Sequence, residues 1–134
     1  MTAAGDARAP ADSVAGMRVF LVEDDPTILF ALEAVVESFG CVVVGTAMRV
    51  ADGFAFIAAN VFDVAVMDVR LADGDSDALV AALVARGTPL IVTSGASAAP
   101  HTYASDGVLF LQKPYTDRAL HKALLDIGRK IDGD

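Results

Sequence analysis

Five short apolar runs divide the chain, and each runs into polar residues at its C-terminal end. Met17–Val22 meets Glu23, Asp24 and Asp25; Cys41–Val44 meets Gly45; Val61–Met67 meets Asp68. Leu90–Val92 meets Thr93, Ser94 and Gly95, and Val108–Leu111 meets Gln112, Lys113 and Pro114. Runs this short, without apolar-polar alternation, predict strands buried on both faces, as in a parallel sheet. Between them lie segments with helical spacing. Asp25 is a candidate N-cap and Pro26 suits a first turn, after which Ile28, Leu29, Leu32, Val35, Val36 and Phe39 share one face up to Gly40. Ala51, Phe54, Ile57 and Ala58 form a second such face, and Leu79, Val80, Leu83 and Val84 a third, reached through the acidic loop Asp73–Asp77. Leu120, Ala123, Leu124, Ile127 and Ile131 form the last, with Lys122, Arg129 and Lys130 on the polar side. The segment from Ala96 to Asp106, small, polar and interrupted by Pro100, predicts a fourth helix that is short or irregular.

Alternating strands and helices with right-handed crossovers predict an α/β fold, a doubly wound parallel sheet of five strands. The reading divides the chain into a flexible N-terminal arm at 1–16, one folded domain at 17–131 and a short tail at 132–134. The chain has 134 residues, 54% of them hydrophobic, which suits one core and excludes a disordered chain. No apolar run approaches the roughly 18 residues of a membrane span, and the N-terminal segment has no signal-peptide core. The expectation is a cytoplasmic protein that does not use a membrane. A formal charge of −8 argues against direct DNA binding. Cys41 is the only cysteine and sits in an apolar run, which predicts a buried, inert thiol.

In a parallel sheet the C-terminal strand ends share one edge, where open α/β sheets place their sites. Glu23, Asp24, Asp68, Ser94 and Lys113 would meet there. Three carboxylates in one crevice repel each other, and a divalent cation relieves that repulsion. Oxygen-only ligands suit Mg²⁺ or Mn²⁺ and disfavour zinc. Mg²⁺ takes few carboxylates and completes its shell with water and phosphate oxygens, so the set implies an anionic ligand. A phosphoryl group fits, with the cation, Lys113 and the Ser94 hydroxyl on its peripheral oxygens and Asp68 in line as nucleophile.

The motifs LVEDDP, VAVMDVRLADGDS, PLIVTSG and FLQKPY, in this order, make residues 17 to about 131 resemble the receiver domain of two-component response regulators. The resemblance implies a CheY-like, flavodoxin-like fold with strand order 2-1-3-4-5. It implies Asp68 as phosphoacceptor, Glu23 and Asp24 with Asp68 and the Arg70 backbone carbonyl as ligands of Mg²⁺, and Ser94, Lys113 and Phe110 as phosphoryl-binding and switch residues. It also implies a cis peptide before Pro114. The implied phosphodonor is a phosphohistidine on a sensor histidine kinase or a histidine phosphotransfer protein. With only Asp132, Gly133 and Asp134 after the last helix, the expectation is a stand-alone phosphorelay switch without an output domain. It would signal through protein contacts to a downstream protein, as a monomer or a phosphorylation-dependent dimer. It would not be an enzyme in its own right.

The sequence departs from the family pattern at Leu71-Ala72 and Asp75-Ser76, at Ala96 and at Phe110, which has no hydroxyl. Three alternatives remain. An unphosphorylated receiver-like binding module is disfavoured because every key position is filled. A phosphohydrolase with an Asp nucleophile would want a second acid where Arg70 stands. A dinucleotide-binding domain would want glycines where Glu23-Asp24-Asp25 would repel a pyrophosphate. His101 and His121 are expected to face solvent. Phe30, Phe39, Phe54 and Phe56 are expected to pack, and Tyr115 to be half-buried.

Overall fold

The computed structural model describes residues 13–71, 73–95 and 107–133. Its elements are β1 (Arg18–Val22), α1 (Pro26–Ser38), β2 (Val42–Ala47), α2 (Val50–Ala59), β3 (Val64–Asp68), β4 (Arg70–Leu71), β5 (Gly74–Asp75), α3 (Asp77–Arg86), β6 (Leu90–Ser94), β7 (Val108–Gln112) and α4 (Asp117–Gly133). The main sheet runs β2-β1-β3-β6-β7 with every pair parallel, and β4 and β5 form a small antiparallel hairpin outside it. Without the hairpin this is the expected 2-1-3-4-5 order, the flavodoxin-like α/β arrangement. The expected short helix at Ala96 to Asp106, with Ala96, Pro100 and His101, lies outside the described residues.

The two-residue period of the strands divides the core. Val19 and Leu21 point to the face covered by α1 and α4, where Leu29, Leu32, Val36, Leu120 and Leu124 meet them. Phe20 and Val22 point to the face covered by α2 and α3, with Ile57, Leu79, Val80 and Leu83. Burial on both sides is why the runs read as continuously apolar. Asp25 caps α1, its Oδ1 accepting from the Thr27 amide at 2.9 Å and the Ile28 amide at 3.3 Å. Gly40, at φ +93°, lets the chain leave α1 through the left-handed region.

Several sequence expectations are corrected. The arm does not extend to residue 16: Val14 is only 2% exposed, and the Gly16 amide donates to the Gly40 carbonyl at 2.8 Å. The chain from Ser13 onward therefore packs against the end of α1, and residues 1–12 lie outside the described residues. At the other end α4 runs through Gly133, into the residues expected as a tail. β3 begins at Val64 rather than Val61, which is 73% exposed beyond the edge of the sheet. β2 does not stop at Gly45: its register against β1 skips Val44, Gly45 pairs with Phe20, and the strand continues to Ala47. A Cβ at Gly45 would lie 2.3 Å from the Phe56 ring, so the missing side chain lets that ring close over the strand. Phe30 does not pack; it stands 76% exposed on the outer side of α1. His121 does not simply face solvent but stacks on Phe39, with centroids 4.5 Å apart. Cys41 is buried, which pushes its thiol up to about 11.

Candidate functional site

The carboxyl ends of β1, β3 and β7 bring four charged side chains together. Backbone bonds carry the sheet ladder one residue past each strand and fix these positions. The Glu23 amide donates to the Ala47 carbonyl at 3.0 Å, that of Val69 to Thr93 at 3.1 Å, and that of Lys113 to Ser94 at 2.8 Å. Glu23, Asp24 and Asp68 each offer a carboxylate oxygen within 4.8 Å of the others. The Lys113 ammonium reaches between two of them, donating to Asp68 Oδ2 at 2.9 Å and Glu23 Oε1 at 3.4 Å. The free oxygens are also engaged: the Arg70 amide donates to Asp68 Oδ1 at 3.3 Å, and the Asp25 amide to Glu23 Oε2 at 3.3 Å. The Lys113–Pro114 peptide is cis.

Ser94 ends β6 opposite Gln112, half-buried at the same edge. Phe110 lies two residues earlier on β7, level with Val92, and is exposed at the sheet margin. Tyr115 is half-buried against the α1–α4 core, and burial raises its phenol above the ordinary 10.0.

Among the described residues, three carboxylates cluster here and the ammonium pairs with two of them, so the cluster carries net negative charge. Burial chiefly, and then the Asp68 charge, raise Glu23 above its ordinary 4.5, against the opposing pull of Lys113. For Lys113, burial works to lower the value, but hydrogen bonding and attraction from Asp68 and Glu23 outweigh it and leave it above 10.5. The stability linked to Glu23 is therefore complete below about pH 4.5 and is lost as pH rises through its higher folded value. In chelator-treated protein, any stability advantage of Glu23→Gln over the parent is expected to be largest near neutral pH. It should shrink as pH falls toward 4.5, read by urea unfolding. A difference that does not change with pH would mean that the buried carboxylate carries no such cost.

The donor set fits a hard divalent cation: the three clustered ligands are all oxygens, and the surplus negative charge is what such an ion neutralises. Lys113 supplies a positive charge already in place.

Sequence reasoning missed the role of Asp73. Its carboxylate caps α2 in trans, accepting from the Val50 amide at 2.6 Å and the Ala51 amide at 3.3 Å. These bonds hold Asp73 below its ordinary 3.8. At the other end of α2, the Arg86 guanidinium donates to the Ile57 and Asn60 carbonyls and lies over the Phe62 ring. The local signal for Asp73 was only an acidic loop, because its partner lies 23 positions earlier.

Fold and site together define a flavodoxin-like signalling domain with an acidic pocket and a lysine at the carboxyl edge of its sheet. The chain belongs to the response regulator receiver domain family, whose model matches residues 19–125. Among solved structures, a CheY-like receiver domain protein from Methanospirillum hungatei is 26% identical, with TM-score 0.75, 87% of this chain covered and 99% of that one. The receiver domain of a Pseudomonas aeruginosa sensor histidine kinase is 23% identical, with TM-score 0.74, 85% of this chain covered and 98% of that one. That structure has a magnesium ion coordinated in its active site cleft. A variant of the anti-anti-sigma factor PhyR from Bartonella quintana is 19% identical, with TM-score 0.77; the match covers 92% of this chain but spans only 53% of that one. Comparison with curated protein sequences gives no match. Receivers are signalling domains of two-component systems, and the acidic cluster lies where such a domain is phosphorylated. No helix among the described residues is long and apolar enough to cross a membrane.

Proposed function

We propose that this protein is a phosphorylation-dependent switch in which Asp68 accepts a phosphoryl group from a phosphohistidine. The observation that carries this reading is the meeting of Asp68 with Glu23, Asp24 and Lys113 at one sheet edge. In the transfer, an Asp68 carboxylate oxygen forms a bond to phosphorus, the P–N bond breaks, and the imidazole leaves with the electron pair. Glu23, Asp24, Asp68 and the Arg70 carbonyl would hold Mg²⁺, or Mn²⁺ in its place. When bound, the cation supplies charge neutralisation for the incoming phosphoryl oxygens. Lys113 leaves its apo pairing and binds one of those oxygens, and the Ser94 hydroxyl takes another. The new dianion biases Ser94 and Phe110 toward a second packing, so the β7 margin reports the state of Asp68 to a downstream protein.

The donor is a sensor histidine kinase or a histidine phosphotransfer protein. Beside Lys113, Ile28, Leu32, Val35, Pro114 and Tyr115 line apolar grooves between α1 and the start of α4, which suit an apolar-faced helical donor. With such a donor the protein would work in the cytoplasm, through protein contacts rather than through DNA.

Incubation with Mg²⁺ and phosphoramidate, followed by intact mass, tests the reading. The expected result is one phosphoryl adduct on the parent protein and none on Asp68→Asn. An adduct that survives the substitution sinks the assignment. No adduct from small donors or kinases favours an unphosphorylated binding module instead.

A further inference from the structure

The hairpin after β3 is too small to hold itself. Its strands have two residues each, paired Arg70 with Asp75 and Leu71 with Gly74, and an isolated two-stranded hairpin is marginal even when longer. Two anchors hold its base. Leu71 is buried in the α2–α3 core, and the buried Ser76 donates both its amide and its hydroxyl to the Val69 carbonyl, at 2.9 Å and 3.2 Å. Its tip is anchored by Asp73, whose two carboxylate oxygens accept the Val50 and Ala51 amides at the start of α2. That helix end offers unpaired amides and positive partial charge. Its own N-cap residue, Arg49, makes no side-chain cap, so Asp73 fills the place a local Ser or Asp would take.

The helix that Asp73 grips is itself firmly seated. Gly53 lies so close to Leu79 that an added Cβ would stand 2.9 Å from a Leu79 methyl, and Arg86 ties the far end of α2 to α3. The hairpin tip is thus fastened to a fixed body. At its other side the hairpin carries Arg70, whose amide already donates to Asp68 Oδ1.

We propose that Asp73 is a positioning residue for the metal centre: by stapling the hairpin to the N-terminus of α2, it holds the Arg70 carbonyl where the cation needs it. The proposal rests on the reading that Arg70 lends its carbonyl to the cation. Asp73 touches neither the metal nor Asp68, and its role is to remove the freedom of the backbone that does.

Isothermal titration with Mg²⁺ tests this on the parent protein, Asp73→Ala, Asp73→Asn and Arg86→Ala. Asp73→Ala is expected to bind roughly tenfold more weakly, the scale of lost outer-shell support at metal sites. Asp73→Asn keeps an accepting oxygen and is expected to stay within about twofold of the parent, since Asn caps helices about as well as Asp. Arg86→Ala loosens α2 from the opposite end and is expected to melt earlier with its Mg²⁺ affinity unchanged. Parent-like binding by Asp73→Ala overturns the proposal. Asp73→Asn as weak as Asp73→Ala overturns it too, by assigning the effect to charge. Arg86→Ala matching Asp73→Ala assigns the effect to general loosening, with the same consequence. If the parent protein itself takes up no Mg²⁺, the metal-site reading falls and this proposal falls with it.

Discussion

Lys113→Ala is expected to slow phosphoryl transfer to Asp68 by roughly 100-fold, the scale of removing one preorganised donor to a developing charge. The same variant is expected to bind Mg²⁺ roughly tenfold more tightly, because a like charge close to the cation disappears. Both effects have one origin. The ammonium stands 2.9 Å from Asp68 Oδ2 and 3.4 Å from Glu23 Oε1, so it competes with a cation for the same oxygens. Once a phosphoryl group arrives, that ammonium is the positive charge the chain itself directs at it. Without metal, the variant leaves the pocket's carboxylates unshielded and is expected to lose about 2 kcal/mol of stability, less than for a fully buried pair because Lys113 is partly exposed. Timed intact-mass measurements with phosphoramidate at saturating Mg²⁺, together with titration of the metal, read both effects. Weaker Mg²⁺ binding by the variant would recast Lys113 as a scaffold for the carboxylates and overturn the competition argument.

Phe20→Ala is expected to destabilise the fold by about 4 kcal/mol, the range for truncating a buried aromatic. Phe20 is 0% exposed, stacks on Phe56 with centroids 4.3 Å apart, and tilts against Phe62 at 5.2 Å. Phe56 in turn lies on Phe62 and over Gly45, so the cavity cannot close by moving one ring. Against a total stability of roughly 5–15 kcal/mol for a domain of this kind, the variant is expected to be partly unfolded at modest urea concentration. Phe30→Ala is the contrast. Its ring is exposed, and the expected change is within about 0.5 kcal/mol. Urea unfolding monitored by circular dichroism separates the two, and similar losses would contradict the placement of either ring.

The contrast between two phenylalanines ten positions apart also marks what sequence reasoning reaches. Phe20 sits in an uninterrupted apolar run, and such a run has one reading: a strand with helices on both faces. Phe30 sits in a helix whose spacing shows which side is buried in general, but the pattern of Leu29, Leu32 and Val36 leaves Phe30 on the far side. The expectation that it packs followed residue type rather than position. Gly45 misled in a similar way. Glycine after a β-branched run reads as a strand end, whereas here it admits the Phe56 ring and the strand continues.

The site was largely legible because its members occupy equivalent places in a repeating pattern. Each polar group that ends an apolar run is carried to the same sheet edge by topology alone, so Glu23, Asp24, Asp68, Ser94 and Lys113 can be grouped without knowing one distance. The loop after Asp68 was not legible in this way. Asp73 reads as an acidic turn residue, and its acceptance of two amides from α2 depends on a contact across 23 positions. The same holds for Arg86 with the Ile57 and Asn60 carbonyls, for His121 on Phe39, and for the Gly16 amide on the Gly40 carbonyl.

Period and polarity along the chain by themselves determined the alternation of strand and helix, the parallel sheet, and which side chains end its strands. These properties depend on neighbours in sequence and on the handedness of crossovers. Only the tertiary structure decided which amide each carboxylate accepts, how Lys113 divides its charge between Glu23 and Asp68, and that the hairpin after Asp68 is fastened to α2. Those are contacts of a few ångströms between residues far apart in sequence, and they are set by how the helices seat on the sheet.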